Sequence, residues 1–277
     1  MLWSVVLLGW DSLTNTGKES KINEKPQFYR SSDMQTNKIS LVIPAYNEAA
    51  IIENTIKSAL SFLGRYCSDY ELIISDDGST DKTKKIAESI VNPHLRVVGH
   101  FPNRGKGSAV REGILAAVGD IVIYTDADLA YGIEAVGELT DKLRSEGTEI
   151  AIGSRKLHPE GYEDYPFIRL LASRLFSFLT GLFAGFHYDT QCGLKAFTVK
   201  AAKQVFSRCE TDGFAFDFEV MMLAKWLKLS VTQLPVKIIN HRDSKVAVLR
   251  DSIRMFGDII RIRSDVKKRL ERETGSA

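Results

Sequence analysis

Between residues 39 and 152, short apolar runs alternate with longer segments whose apolar positions recur every three to four residues. Ile39–Ile43, Tyr70–Ile74, Leu95–Val98, Ile121–Tyr124 and Glu149–Ile152 are rich in β-branched side chains, the pattern of buried strands. Between them, Asn47 and Glu48 open a helix carrying Ile51, Ile52, Ile56 and Leu60. Lys82–Val91, Glu134–Leu143 and Lys106–Val118 are further helices, the last with Val110, Ile114 and Ala117 on one face. The polar cluster Ser75–Asp81 reads as a turn and helix N-cap. Strands alternating with helices predict an α/β fold, a doubly wound and mostly parallel sheet with flanking helices. Ligands of such sheets lie beyond the carboxyl ends of the strands. Clusters rich in Asp, Gly and Asn follow Ile43, Ile74, Tyr124 and Ile152, at that one edge. A single polar loop is ordinarily just solvated; acidic loops repeated along one edge are a functional signal.

After Lys156 the rhythm breaks. Pro166–Phe186 is apolar and helical without an acidic residue, and Arg169, Ser173 and Ser177 form a narrow polar stripe on it. A helix over Phe214–Trp226 and a strand over Val231–Ile239 follow. Val246–Leu270 is an amphipathic helix, with Leu249, Ile253, Phe256 and Ile260 apolar and Arg250, Arg254 and Arg261 flanking them. The expected organisation is a flexible leader over 1–38, a main domain over 39–240 and a basic amphipathic C-terminal segment over 241–277.

Composition narrows the classes. The 277 residues carry 37 Lys+Arg against 35 Asp+Glu, so no whole-molecule charge points to nucleic acid. From residue 241 onward ten basic side chains face six acidic ones, a local +4. Such a helix can lie on an anionic bilayer, or simply pack on the domain with a solvated outer face. Cys67, Cys192 and Cys209 are scattered, which argues against a disulfide framework or a zinc site and points to a reducing compartment. Neither Met1–Trp10 nor Leu175–Phe186 approaches the roughly 20 residues of a membrane span. A peripheral protein at the cytoplasmic face of a membrane, without a transmembrane helix, is the expectation.

The candidate chemistry lies at the strand ends. In an extended segment Asp126 and Asp128 point the same way, and a hard divalent cation such as Mg²⁺ or Mn²⁺ would relieve their repulsion and bridge to a diphosphate. A solvated turn is the plain alternative. Asp76 and Asp77 can accept hydrogen bonds from a base or ribose, or serve only as caps. Lys106, between Gly105 and Gly107, opens a helix and suits an anion there, or is a solvated lysine in a glycine turn.

Six segments in order carry a resemblance: Val42–Glu48, Asp76–Asp81, Asn103–Gly107, Asp126–Asp128, Gly153–Arg155 and Asp189–Gly193. Together they resemble glycosyltransferase family 2, with its GT-A fold, over about Ser40 to Ala247. The likeness is greatest to the polyprenyl-phosphate sugar synthases. Asp189–Lys195 and Gly213–Asp217 look more like their dolichyl-phosphate glucosyl branch than the mannosyl one. The resemblance implies an inverting transfer of a sugar, glucose from UDP-glucose, to a dolichyl or undecaprenyl phosphate. It places Pro44, Tyr46, Glu48 and Asp76 at the nucleoside, with Asp77, Lys106 and Asp126 also on the nucleotide sugar. It puts Asp128 on the metal and Asp189, Gln191 and Asp217 at the reacting centre. Arg155, Arg169 and Ser173 would meet the lipid phosphate, and Ser244 and Lys245 would lie on a loop closing over the donor. Eukaryotic glucosyl members carry an N-terminal anchor and many bacterial ones carry C-terminal spans. Attachment here would fall to the 166–186 helix and the basic C-terminal helix. Transfer to a soluble or glycan acceptor, mannosyl transfer from GDP-mannose, and nucleotide-sugar binding without turnover are the competing readings.

Overall fold

The structure, a computed structural model, describes residues 37–161, 188–240 and 248–275, together with Gly181 and Gly185. The leader up to residue 36, Arg169, Ser173, Ser177 and the rest of the predicted helix apart from those two glycines, and Ser244 and Lys245 lie outside the described residues. So do the side chains of Leu249, Arg250, Ile253, Arg254 and Phe256.

Seven strands form one sheet: β1 (Ile39–Ala45), β2 (Tyr70–Asp77), β3 (Leu95–His100), β4 (Ile121–Tyr124), β5 (Ile150–Ser154), β6 (Lys195–Thr198) and β7 (Val231–Pro235). Their order is β3-β2-β1-β4-β6-β5-β7. All neighbours pair in parallel except β6, which runs antiparallel to both β4 and β5. The other six strands therefore share one carboxyl edge, as expected of a doubly wound sheet. The helices are α1 (Ile52–Tyr66), α2 (Thr83–Ser89), α3 (Lys106–Ala116), α4 (Glu134–Glu146), α5 (Val199–Phe206), α6 (Phe216–Trp226) and α7 (Val248–Gly275).

Alternation along β1 divides the core. Leu41 and Ile43 join one buried cluster with Ile52, Ile56, Val136 and Leu139 of α1 and α4. Val42 joins the other, with Val110 and Ile114 of α3, Phe206, Phe216 and Phe218, and Ile259, Ile262 and Val266 of α7. Successive strand side chains face opposite ways, so one hydrophobic run supplies both layers. The C-terminal helix buries Ile259, Ile262 and Val266 against the domain, whereas Ile260, expected on the apolar stripe, faces outward beside Arg261, so over its described part the buried face is turned away from the expected one.

Further details depart from the sequence reading. β6 and α5 were not visible in it, and β7 ends at Pro235 rather than at Ile239. Helix α1 starts at Ile52 rather than at Asn47, because Asn47 takes a left-handed conformation (φ 54°). There its side-chain oxygen accepts the amides of Thr80 and Asp81, at 2.9 and 3.3 Å, tying the β1 loop to the β2 loop. Finally, Asp126 and Asp128 lie on a turn closed by Leu129 N–H donating to the Asp126 carbonyl at 3.0 Å, and not on an extended segment.

Candidate active site

β1 and β2 deliver the first group of residues. Pro44 belongs to β1, and Tyr46, just beyond it, is 43% exposed. Sequence treats Asp76 and Asp77 alike, but the fold separates them. The Asp77 oxygens accept the Arg104 and Gly105 amides at 3.0 Å and the Asn103 side chain at 2.7 Å, and His100 lies 2.9 Å away. Its carboxylate holds the 103–105 loop in place. Asp76 uses Oδ2 on the Ser79 amide at 3.1 Å, whereas its buried Oδ1 has no partner among the described residues. Buried polar atoms are nearly always hydrogen-bonded, so a bare carboxylate oxygen at the ligand edge marks a place a ligand donor would fill.

β4 runs into the acidic pair. Asp126 Oδ1 receives Lys106 Nζ at 2.5 Å. Its Oδ2 lies against Gly193, where an added Cβ would come within 2.1 Å and push the carboxylate aside. Asp128 Oδ1 accepts the Ala130 amide at 3.1 Å. Asn240, beyond β7, donates to the Leu129 carbonyl at 2.8 Å and steadies the turn. Burial alone would weaken the Lys106 charge, but the Asp126, Asp217 and Asp128 carboxylates prevail and hold its ammonium protonated above the ordinary range. Both aspartates therefore act on one point. Among the described residues no three His, Cys or carboxylate side chains gather as a metal cage. Two hard carboxylates with further oxygens from a bound diphosphate suit Mg²⁺ or Mn²⁺, which seldom take all their ligands from protein.

The β5 and β6 ends supply the remainder. Arg155 grips Asp189 with two parallel bonds, Nη2 to Oδ1 at 2.8 Å and Nε to Oδ2 at 2.9 Å, and its amide adds a third at 3.0 Å. Burial pushes the Asp189 carboxyl up, yet the Arg155 charge and hydrogen bonds outweigh it and leave it below the usual carboxylate range. Asp189 is thus a weak base already facing a guanidinium. Two residues on, the buried Gln191 Nε2 has no partner among the described residues. Asp217, in the first turn of α6, receives Lys195 Nζ at 2.5 Å and the Tyr124 hydroxyl. Lys195 is fully buried and also donates to the Thr190 and Cys192 carbonyls at 3.0 and 2.6 Å. All three of its protons are used, which fastens the 189–193 loop. Lys195 and Tyr124 were not foreseen; the one signal was a lysine inside the apolar run Gly193–Phe197.

Four carboxylates (Asp126, Asp128, Asp189, Asp217) thus meet three cations (Lys106, Arg155, Lys195), a formal balance of −1. A divalent cation would turn that to +1, matched to a diphosphate.

The described part of α7 docks on the domain through Arg269, whose Nη2 donates to buried Glu219. Among the described residues no helix is long and apolar enough to cross a membrane.

Comparison with known proteins bears on this arrangement. The family model described as glycosyl transferase family 2 matches residues 40–206. The dolichyl-phosphate beta-glucosyltransferase of Saccharomyces cerevisiae is 33% identical over 259 residues, covering 86% of this chain and 78% of that protein. Its namesake from Homo sapiens is 32% identical, covering 83% of this chain and 76% of the relative. A glucosyl-3-phosphoglycerate synthase of Mycobacterium tuberculosis, crystallised with Mn²⁺, UDP and glucosyl-3-phosphoglycerate, superposes with a TM-score of 0.60. It is 24% identical and covers 82% of this chain and 78% of its own, a likeness of fold.

Proposed function

The chain belongs to glycosyl transferase family 2, and from that premise we propose that it moves glucose from UDP-glucose to a polyprenyl phosphate such as dolichyl phosphate, with inversion at the sugar. The observation that carries the donor half is the Asp126–Asp128 turn beside Lys106, at the same edge as the unpartnered Asp76 oxygen. The acceptor half is supported by relatives, each named a dolichyl-phosphate beta-glucosyltransferase, that match over more than four-fifths of this chain.

Each residue then has a task. Asp76 Oδ1 accepts from the base or ribose, while Pro44, Tyr46 and Glu48 shape the nucleoside pocket. Asp128, with Asp126, would hold a divalent cation, which would supply positive charge to the departing diphosphate. Lys106 is freed from Asp126 to face a diphosphate oxygen. An oxygen of the lipid phosphate attacks the anomeric carbon, and the bond from that carbon to the UDP oxygen breaks with its electron pair leaving on UDP. No proton need be taken from the nucleophile, since a lipid phosphate is already anionic near neutral pH. The weak basicity of Asp189 is therefore no obstacle: its task is to orient Arg155, whose charge draws in the acceptor, and Gln191 Nε2 donates to the sugar. Asp217 acts from behind, by fixing the 189–193 loop. Arg169 and Ser173 complete the phosphate site, and Ser244 and Lys245 the donor loop. A lipid acceptor also requires peripheral contact with a membrane.

The test is transfer from a panel of radiolabelled nucleotide sugars, UDP-glucose and GDP-mannose among them, to polyprenyl phosphate in mixed micelles and to soluble acceptors. Glucosyl transfer to the lipid is expected. Turnover confined to a soluble acceptor or to GDP-mannose would overturn the reading, and binding without turnover would remove the enzyme.

A further inference from the structure

Glu219 lies fully buried on α6, two residues beyond Asp217. Its Oε2 accepts the amides of Thr211 at 2.7 Å and Glu210 at 3.1 Å, and the Cys209 thiol lies 3.3 Å away. Its Oε1 is gripped by Arg269 of α7. Arg269 also donates to the Arg208 carbonyl at 2.6 Å and stands 3.3 Å from the Glu210 carboxylate. Burial pushes the Glu219 carboxyl up, but Arg269 and the loop amides win and keep it ionised.

The other side of this loop bears on the donor site. The Asp212 carbonyl accepts the Gly107 and Ser108 amides at 2.7 and 3.3 Å. These are first-turn donors of α3, which have no partner within their own helix. Arg111 closes the contact from one turn further on, reaching Asp212 Oδ1 at 2.5 Å and the Cys209 carbonyl at 3.2 Å. The approach is so close that a Cβ on Gly107 would stand 2.3 Å from the Thr211 carbonyl. The first residue of α3 is Lys106, whose ammonium lies on Asp126.

We infer that Glu219 and Arg269 are positioning residues for the nucleotide sugar, acting through the 209–213 loop on Lys106; the donor half of this inference rests on the function proposed above. The C-terminal helix is thereby linked to the diphosphate end of the site by successive hydrogen bonds through the 209–213 loop. If Arg269 and Glu219 did no more than dock α7, their loss would lower stability and leave donor affinity alone. If they position Lys106, donor affinity falls as well.

The experiment compares full-length Arg269→Ala, Arg269→Lys and Glu219→Gln with the unaltered protein. Hydrogen exchange is followed in the peptide covering residues 105–110, UDP affinity by calorimetry with Mn²⁺, and KM for polyprenyl phosphate by kinetics. Arg269→Ala should speed exchange at Gly107 and Ser108 and weaken UDP binding about tenfold, inside the usual range of coupling between sites. The KM for the lipid should be unchanged. Arg269→Lys should fall between, since it keeps the charge and loses the fork. Glu219→Gln should follow Arg269→Ala; if it does not fold, the two partly exposed Arg269 variants decide alone. A folded Arg269→Ala protein with unchanged exchange over 105–110 and unchanged UDP affinity would overturn the inference, whatever its melting temperature. If exchange responds but even the unaltered protein ignores UDP, the link to Lys106 stands and the donor reading falls.

Discussion

The two halves of the ligand edge are built on opposite plans. In the half formed by β1, β2 and β4, key groups stay open among the described residues: Asp76 Oδ1 has no partner, and the Asp126 carboxylate is paired with a lysine side chain. In the half formed by β5, β6 and α6, the charges are closed on one another before any substrate arrives: Arg155 on Asp189, and Lys195 with Tyr124 on Asp217. The open half is completed by its ligand. The closed half is already organised, so its charges need little rearrangement when a reaction passes in front of them. Loss of an open group should therefore cost chiefly binding or turnover, whereas loss of a closed ion-pair partner should cost stability as well.

The sharpest way to break this contrast is Lys195→Met. It strands the Asp217 carboxylate in the interior and should cost about 3–5 kcal/mol of stability in urea or guanidinium unfolding. Adding Asp217→Asn should restore part of it, because no charge is then left alone. A single variant of ordinary stability would mean that the closed half is not held by its ion pairs. On the open side, Asp128→Asn should slow turnover by at least about 10²-fold with little change in the unfolding midpoint, and excess chelator should do the same to the unaltered enzyme. Full activity in chelator would remove the metal from the proposed mechanism. Asp76→Asn should weaken nucleotide binding by roughly 10-fold or more, the scale of a hydrogen bond to a charged group, again with near-normal stability. A stability loss without an affinity loss would place Asp76 on the closed side. The smallest effect is one of pH. Asp189 is held below the ordinary carboxylate range, so its stabilising contribution is fully present above about pH 3.9 and is lost as pH falls through its lower folded value. Unfolding followed at pH 7, 4 and 2.5 should show this loss, and Asp189→Asn should flatten that part of the profile.

The same contrast explains what could be read from sequence. The open half obeys local rules: apolar runs, helical spacing and acidic clusters at strand ends placed β1 to β5 and the Asp126–Asp128 pair in their proper order. β6 escaped because it has four residues, opens with a lysine and runs antiparallel, so neither period nor rhythm reveals it. The Asp126 turn escaped because an i, i+2 argument assumes a strand that here stops at Tyr124. Arg155–Asp189 and Glu219–Arg269 join residues 34 and 50 positions apart. No local pattern announces a pairing over such distances; only the folded sheet brings the partners together. Lys195 could have been flagged as a charge in an apolar run, but its three acceptors come from two different loops' worth of chain.

The placement of β6 has a consequence for how such a protein can change. The chain leaves the sheet at Ser154 and returns at Lys195, and Ile152 and Lys195 are paired neighbours. The excursion between them is stitched at its base by Arg155 and Asp189. Doubling the length of a closed loop adds only about 0.6 kcal/mol of closure entropy. A change of chain length between Arg155 and Asp189 therefore carries a small entropic cost while that ion pair holds the two ends together. Such changes can accumulate there in evolution while β1, β2 and β4, which carry the acidic strand ends, keep their register.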